Sequence, residues 1–203
     1  MQDDILVIPT LGSHRADEVL TYAFTATQNT LLQNATNSAI QPLSKERIER
    51  NLDDVELNHG RDHEDDVVSV FSDEGLPGKM VCWYLIEGDD NDILRLLSTV
   101  DLPVSQEKWG HALLLANNYH GQCRFGRAHL RIKEGKSYAQ LYFESVIDLS
   151  DGVTDSYLQR FIMLSLFAAH VFFEKTHEQK LLIPARSRKR SKPAIKKESS
   201  QYQ

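Results

Sequence analysis

The chain has 203 residues, a formal net charge of −6, and 41% apolar against 26% charged residues. That balance excludes a disordered or fibrous chain and fits one globular domain of ordinary size with terminal extensions. The charge is uneven. The last 21 residues, IPARSRKRSKPAIKKESSQYQ, hold seven Lys/Arg and one Glu (7 − 1 = +6), while the other 182 hold 16 bases and 28 acids (16 − 28 = −12). An acidic body carries a basic tail.

Two cysteines, Cys82 and Cys123, fall in strand-like runs and are too few for a disulfide scaffold, so the expected compartment is the cytoplasm. The first residues, MQDDILVIPT, have acids where a secretory signal places bases. The longest apolar stretch, FIMLSLFAAHVFF at 161–173, is thirteen residues, shorter than the roughly 20 a bilayer crossing needs. It is expected to be a buried helix.

Residues 1–42 read as an extension. ADEVLTYAFTATQNTLLQN (16–34) places Val19, Leu20, Tyr22, Ala23, Phe24 and Leu31 at loosely helical spacing, although its Thr and Asn content weakens a helix. ATNSAIQP (35–42) reads as a linker. The domain proper is expected over 43–182, followed by a polar, Ser-rich tail at 183–203 that should be disordered.

Three helices open with one device. Ser44, Ser105 and Thr154 are predicted N-caps, each flanked by an apolar pair at staple spacing: Leu43 with Ile48, Val104 with Trp109, Val153 with Leu158. Between the first two lie strand-like runs at 66–72, 79–88 and 92–100, separated by the turn sequences DEGLPG and GDDND. Two more follow the second helix, at 122–133 and 137–149. The order α-β-β-β-α-β-β-α predicts an α+β fold with an antiparallel sheet.

The segment ALLLANNYHGQCRFGRAHLRI (112–132) concentrates asparagines, histidines, arginines, a tyrosine and a cysteine. It reads as a helix end followed by a strand. Trp109, Ala112, Leu113 and Ala116 share a helix face, and Asn117, Asn118 and Gly121 tolerate the positive φ of a helix terminus. Alternation then sends Gly126, Ala128, Leu130 and Ile132 one way, and Phe125, Arg127, His129 and Arg131 the other. In the next strand Ala139, Leu141 and Phe143 should be buried. Matching the apolar faces requires paired numbers to sum to an odd value, and a tight even-length turn gives 269. Leu130 then opposes Ala139, Ala128 opposes Leu141, and Gly126 leaves room for the Phe143 ring.

On the other face this register pairs Arg131 with Tyr138, His129 with Gln140, and Arg127 with Tyr142. The two Arg–Tyr pairs would each gain about 0.5–1 kcal/mol from cation–π contact. These six residues are the candidate partner-binding surface. The alternatives are a solvated sheet face held by cross-strand pairs and a stacking platform for nucleic acid, the latter opposed by the acidic body.

The last helix is apolar almost all round, which one buried stripe does not require. Enclosure within so small a chain is expected to be incomplete, so Phe161, Met163, Leu164, Phe167 and Val171 are assigned to a homodimer interface. HGRDHEDD (59–66) offers His59 and His63 four apart among acids. It matches no metal motif, lacks a specified third ligand, and is read as a solvated acidic loop. No phosphate loop or nucleophile elbow is present in the sequence, and Cys82 and His170 are read as core residues.

The stretches LSKERIERNL, LPVSQEKWGHALLLANNYHGQCRFGRAHL and LYFESVIDLSDGVTDSYLQRFI resemble the YbjN family of bacterial proteins, over about residues 42–173. The resemblance implies a fold like that of type III secretion chaperones, frequent dimerisation, no known cofactor, and a chaperone-like or regulatory role. The expected function is non-enzymatic binding of a protein partner by β-augmentation or on the Arg127/Tyr142 face. The alternative is a nucleic-acid-associated regulator using the tail at 184–203.

Overall fold

In the computed structural model, residues 39–72, 75, 76 and 78–183 are described. The extension up to residue 38 and the tail from 184 lie outside them, and so do the expectations of a helical pattern at 16–34 and of disorder at the C-terminus. Two of the three predicted caps form. The Ser44 hydroxyl accepts the Arg47 backbone N–H at 3.3 Å and starts α1 (Lys45–Asp53), whose Ile48 and Leu52 are wholly buried. Thr154 likewise accepts the Tyr157 N–H at 3.3 Å and starts α3 (Asp155–Glu178).

Ser105 does not cap. Its hydroxyl turns to Glu107 Oε1 at 3.1 Å, and a 3-10 turn (Gln106–Lys108) precedes α2 (Trp109–His120). The predicted stop at Asn117 and Asn118 is also overrun. Both sit inside α2, and Gly121 has φ −66°, not a positive value. The reason is tertiary: Tyr119 is buried, its hydroxyl donates to the Ala168 carbonyl at 2.9 Å, and its ring meets Phe143 and Phe172. One further helical turn places that ring in the core, which outweighs the local preference of the asparagines. The buried face is therefore Ala112, Leu115, Ala116 and Tyr119, while Leu113 is 44% exposed.

The five predicted strands are β2 (Val67–Phe71), β3 (Met80–Glu87), β4 (Ile93–Val100), β6 (Arg127–Ile132) and β7 (Tyr138–Asp148). Two short strands complete the sheet, β1 (His59–Arg61) and β5 (Val104–Ser105). Every pairing is antiparallel, in the order β1-β2-β3-β4-β7-β5, with β6 on the other edge of β7. The α+β expectation holds. Successive register partners Ser69, Cys82, Ser98 and Phe143, and beside them Val67, Tyr84, Leu96 and Ser145, line the inner face. The helices pack there, in one core with Ile48, Ile162 and Phe172.

α3 corrects two expectations. It is 24 residues long and apolar enough by composition to cross a bilayer, so the thirteen-residue argument does not exclude a span. What it does in this fold is line the core: Leu158, Ile162, Leu166, Ala169, Phe172 and Phe173 are all at most 1% exposed. Enclosure within one chain is also more complete than expected. Met163, assigned to the dimer interface, is 2% exposed and belongs to the chain's own core. Phe161, Leu164 and Val171 are half-buried and Phe167 is 49% exposed, leaving one outward stripe.

Candidate functional site

Because the helices occupy one side of the sheet, the alternate residues of the same strands form an outer face. Two rows of register partners cross it: Val68, Trp83, Leu97, Glu144 and Arg127, and beside them Val70, Val81, Thr99, Tyr142 and His129. The β2–β4 side is apolar, and the β7–β6 side is aromatic and charged. Five of the six sequence-predicted residues, Arg127, His129, Arg131, Gln140 and Tyr142, gather on the charged side. Tyr138 lies at the start of β7 opposite Ser105, 42% exposed, and does not meet Arg131.

The pair sum is 271, not 269. Parity is as expected, and the strands are offset by two residues: Arg127 opposes Glu144, His129 opposes Tyr142 and Arg131 opposes Gln140. The connection is longer than a tight hairpin. Lys136 N–H donates to the Lys133 carbonyl at 3.1 Å, Gly135 takes φ +72°, and the Ser137 carbonyl accepts the Gln106 N–H at 3.0 Å. Ser137 is thus held by the segment that starts the 3-10 turn, and the first rung of the hairpin moves to Ile132 and Ala139. The shifted register brings a guanidinium onto a carboxylate, Arg127 to Glu144 at 2.7 Å.

Tyr142 is the centre of the cluster. The His129 ring stacks on it at 5.5 Å with 14° between planes, and the Arg131 guanidinium lies 5.2 Å from its centroid. One diagonal cation–π contact replaces the two direct pairs expected. Gln140 Nε2 donates to Thr99 Oγ1 at 2.7 Å and to the Val100 carbonyl, fixing the floor beside it. Burial holds the His129 imidazole below its usual basicity; Glu144 opposes this, and Arg131, Arg127 and Arg95 reinforce it. A neutral ring is suited to flat stacking on Tyr142.

Sequence reasoning missed Glu144, Arg95 and the apolar half. Glu144 is 6% exposed, held by Arg127 and 4.0 Å from His129; Arg95 pairs with Glu87. Val146, 51% exposed, and Leu85 continue the apolar half as partners of Arg95. Period-2 alternation in 79–88 and 92–100 marks which residues share a face, but not which strand of the second hairpin lies beside β4.

Gly126 performs the role expected of it, from a diagonal position. A Cβ built there would stand 2.6 Å from the Phe143 ring and 2.6 Å from the Glu144 carbonyl. Gly126→Ala should therefore destabilise the fold by about 1–3 kcal/mol through overpacking, whereas Gly110→Ala, where nothing lies within 4 Å in helix α2, should be neutral or stabilising by up to about 1 kcal/mol. Urea midpoints of the two variants check the contrast.

The HGRDHEDD segment is not a simple solvated loop. Its first three residues are β1, and Arg61 gathers acids from two elements: Glu49 at 2.7 Å, Asp65 at 3.1 Å and Glu46 at 3.4 Å. Asp62 Oδ1 accepts the Glu64 and Asp66 N–H groups at 2.9 and 3.0 Å, closing the turn. His59 contacts Asp53 at 3.0 Å, while His63 is largely exposed beside Glu64. Among the described residues no three His, Cys, Asp or Glu side chains converge on a metal position. Cys82 is fully buried and its thiol is pushed up to about 12 by burial, the setting of a core residue rather than a nucleophile.

A family model, YbjN, described as "Putative bacterial sensory transduction regulator", matches residues 44–178. No curated protein matches the chain. Among solved structures, "Crystal structure of YbjN, a putative transcription regulator from E. coli" superposes with a TM-score of 0.59 at 11% sequence identity, covering 72% of this chain and 100% of that one. At that identity the similarity speaks for the fold.

Proposed function

The chain belongs to the YbjN family, and from that premise we propose that it is a non-enzymatic regulatory protein that holds a partner protein on the outer face of its sheet. One observation carries the reading. On a body that is otherwise acidic, this face sets Arg95, Arg127 and Arg131 against Glu87 and Glu144, around Tyr142 and next to apolar Trp83, Leu97 and Val146. A partner segment combining acidic and apolar side chains meets both halves. β6 adds an edge, with Arg127 and Arg131 flanking it, to which an extended segment can pair. This is a regulatory or chaperone-like way of working, in which recognition replaces chemistry.

Affinity capture from nuclease-treated bacterial extract tests it. The full chain should retain a protein partner, and Arg127→Glu/Arg131→Glu should lower retention at least about tenfold, or roughly 1.4 kcal/mol, with unchanged circular dichroism. Equal retention by the double variant, or no retained protein, overturns the reading.

The basic tail favours a second reading, binding of nucleic acid through residues 184–203, and the similar E. coli YbjN is described as "a putative transcription regulator". Binding to a duplex DNA fragment should then fall steeply with salt and vanish on deletion of 184–203. Salt-insensitive or tail-independent binding ends it.

A further inference from the structure

We propose that His129 makes the outer face pH-sensitive, so that its hold on an acidic partner segment tightens as the imidazole gains a proton, an inference that rests on reading this face as the partner-binding surface. The imidazole lies flat on Tyr142, with ring centroids 5.5 Å apart, and its Nδ1 stands 4.0 Å from Glu144 Oε2, beyond hydrogen-bond reach. Charged groups face it from three strands: Glu144 on β7, Arg127 and Arg131 on β6, and Arg95 on β4. The other described histidines lie on β1, the turn after it, α2 and α3. His129 is therefore the group on this face that changes charge near neutral pH.

Glu144 is the pivot. Its Oε1 accepts Arg127 at 2.7 Å while its Oε2 faces the imidazole. Burial and the three guanidiniums keep the ring neutral against the pull of that carboxylate. Once protonated, the ring becomes a second donor to Glu144 and competes with Arg127. The Arg127 side chain is 62% exposed, so solvent screens its pairing and its release costs little. One proton thus adds a positive charge to the face and frees a guanidinium beside it.

A partner carboxylate seated among these arginines supplies the negative charge they lack, and so favours the protonated ring. Linkage makes the effect reciprocal: the factor by which binding raises proton affinity is the factor by which protonation raises binding affinity. Affinity is then full below the free-state titration of His129 and is lost as pH rises through its bound-state titration. Aspartate and glutamate stay ionised above about pH 5, so the gain falls between about pH 7.5 and about pH 5.5.

NMR of the full chain tests both halves at constant ionic strength. In the free chain the His129 ring should titrate below about 6.5, and the Arg127 side-chain N–H resonance should move with the same midpoint. A blocked hexapeptide of alternating aspartate and valine should bind roughly three- to tenfold more tightly at the lower pH and should raise the His129 midpoint. His129→Gln should bind it equally at both pH values. An Arg127 resonance that ignores the His129 titration, wild-type affinity that does not change with pH, or a pH dependence that survives His129→Gln overturns the switch and leaves the face a binding surface. A peptide that shifts neither Tyr142 nor Arg131 at either pH overturns the reading of the face, and the switch with it.

Discussion

Arg47→Ala should cost about 3–5 kcal/mol of folding stability, the range for removing one partner of a buried charged network. Arg47 is 6% exposed and lies on α1, yet no partner of its guanidinium is there. Nε and a terminal nitrogen donate to Asp155 Oδ1 at 3.0 and 2.6 Å, and the remaining donors reach the Gln41, Pro42 and Val153 carbonyls. Truncation leaves the Pro42 carbonyl without its donor, at about 1–3 kcal/mol if it stays dry, and removes a second donor from the Gln41 and Val153 carbonyls, which keep each other's N–H groups. Because Asp155 is itself 41% exposed, water screens its share of the loss, and the rest comes from the charge-assisted bonds to the carbonyls. Arg47→Lys should recover only part, since a point charge on a flexible stem cannot serve four acceptors in a plane.

The same variant has a pH signature. Burial raises the Asp155 carboxyl, but hydrogen bonding and charge from Arg47, followed by Arg50, outweigh it and hold the group below the usual carboxylate range. A depressed folded-state pKa gives stability that is present above the unfolded value and lost as pH falls through the folded one. The gap between wild type and Arg47→Ala should therefore narrow on acidification from pH 7 to about pH 3. Urea unfolding at the two pH values measures it, and a gap of constant size would assign Arg47 a purely packing role.

Which features were legible in the sequence follows from how local their causes are. Ser44 and Thr154 are caps because cap and partner lie three residues apart, and the strand runs alternate with the period their pleat imposes. Parity alone placed Arg127, His129 and Arg131 on one face with Tyr142. The offset of two was set by Ser137 bonding to Gln106, thirty-one residues upstream, which no turn rule contains. Asn117 and Asn118 stayed helical because Tyr119 reaches Ala168 on another helix. Glu144 was not legible as a member of the site, since its neighbours Leu97 and Arg127 come from strands on either side of β7. β1 was hidden inside HGRDHEDD, where Arg61 neutralises acids from α1 and the following turn that composition alone reads as mutually repelling.

Phe172→Ala should be about as damaging, at about 3–5 kcal/mol for a fully buried aromatic ring. Phe172 is 0% exposed and touches Tyr119, Phe143 and Phe173 at centroid distances of 5.3, 6.0 and 5.2 Å, so one ring joins α2, β7 and α3. At about 2–4 °C per kcal/mol for a chain of this size, Tm should fall by roughly 6–20 °C. Phe172→Leu keeps most of the volume and should cost less than about 1.5 kcal/mol. The loss should also be uneven across the sheet. Phe143 lies against Phe172 on one side and fills the space over Gly126 on the other, so slackening it loosens the register that sets Tyr142 and Glu144 beneath His129 and Arg127. β3 and β4 have no ring in this cluster. Hydrogen exchange in Phe172→Ala should therefore accelerate more at 127–132 and 138–144 than at 80–87 and 93–100. Uniform acceleration would mean that the sheet opens as one unit and that the aromatic cluster gives the outer face no support of its own.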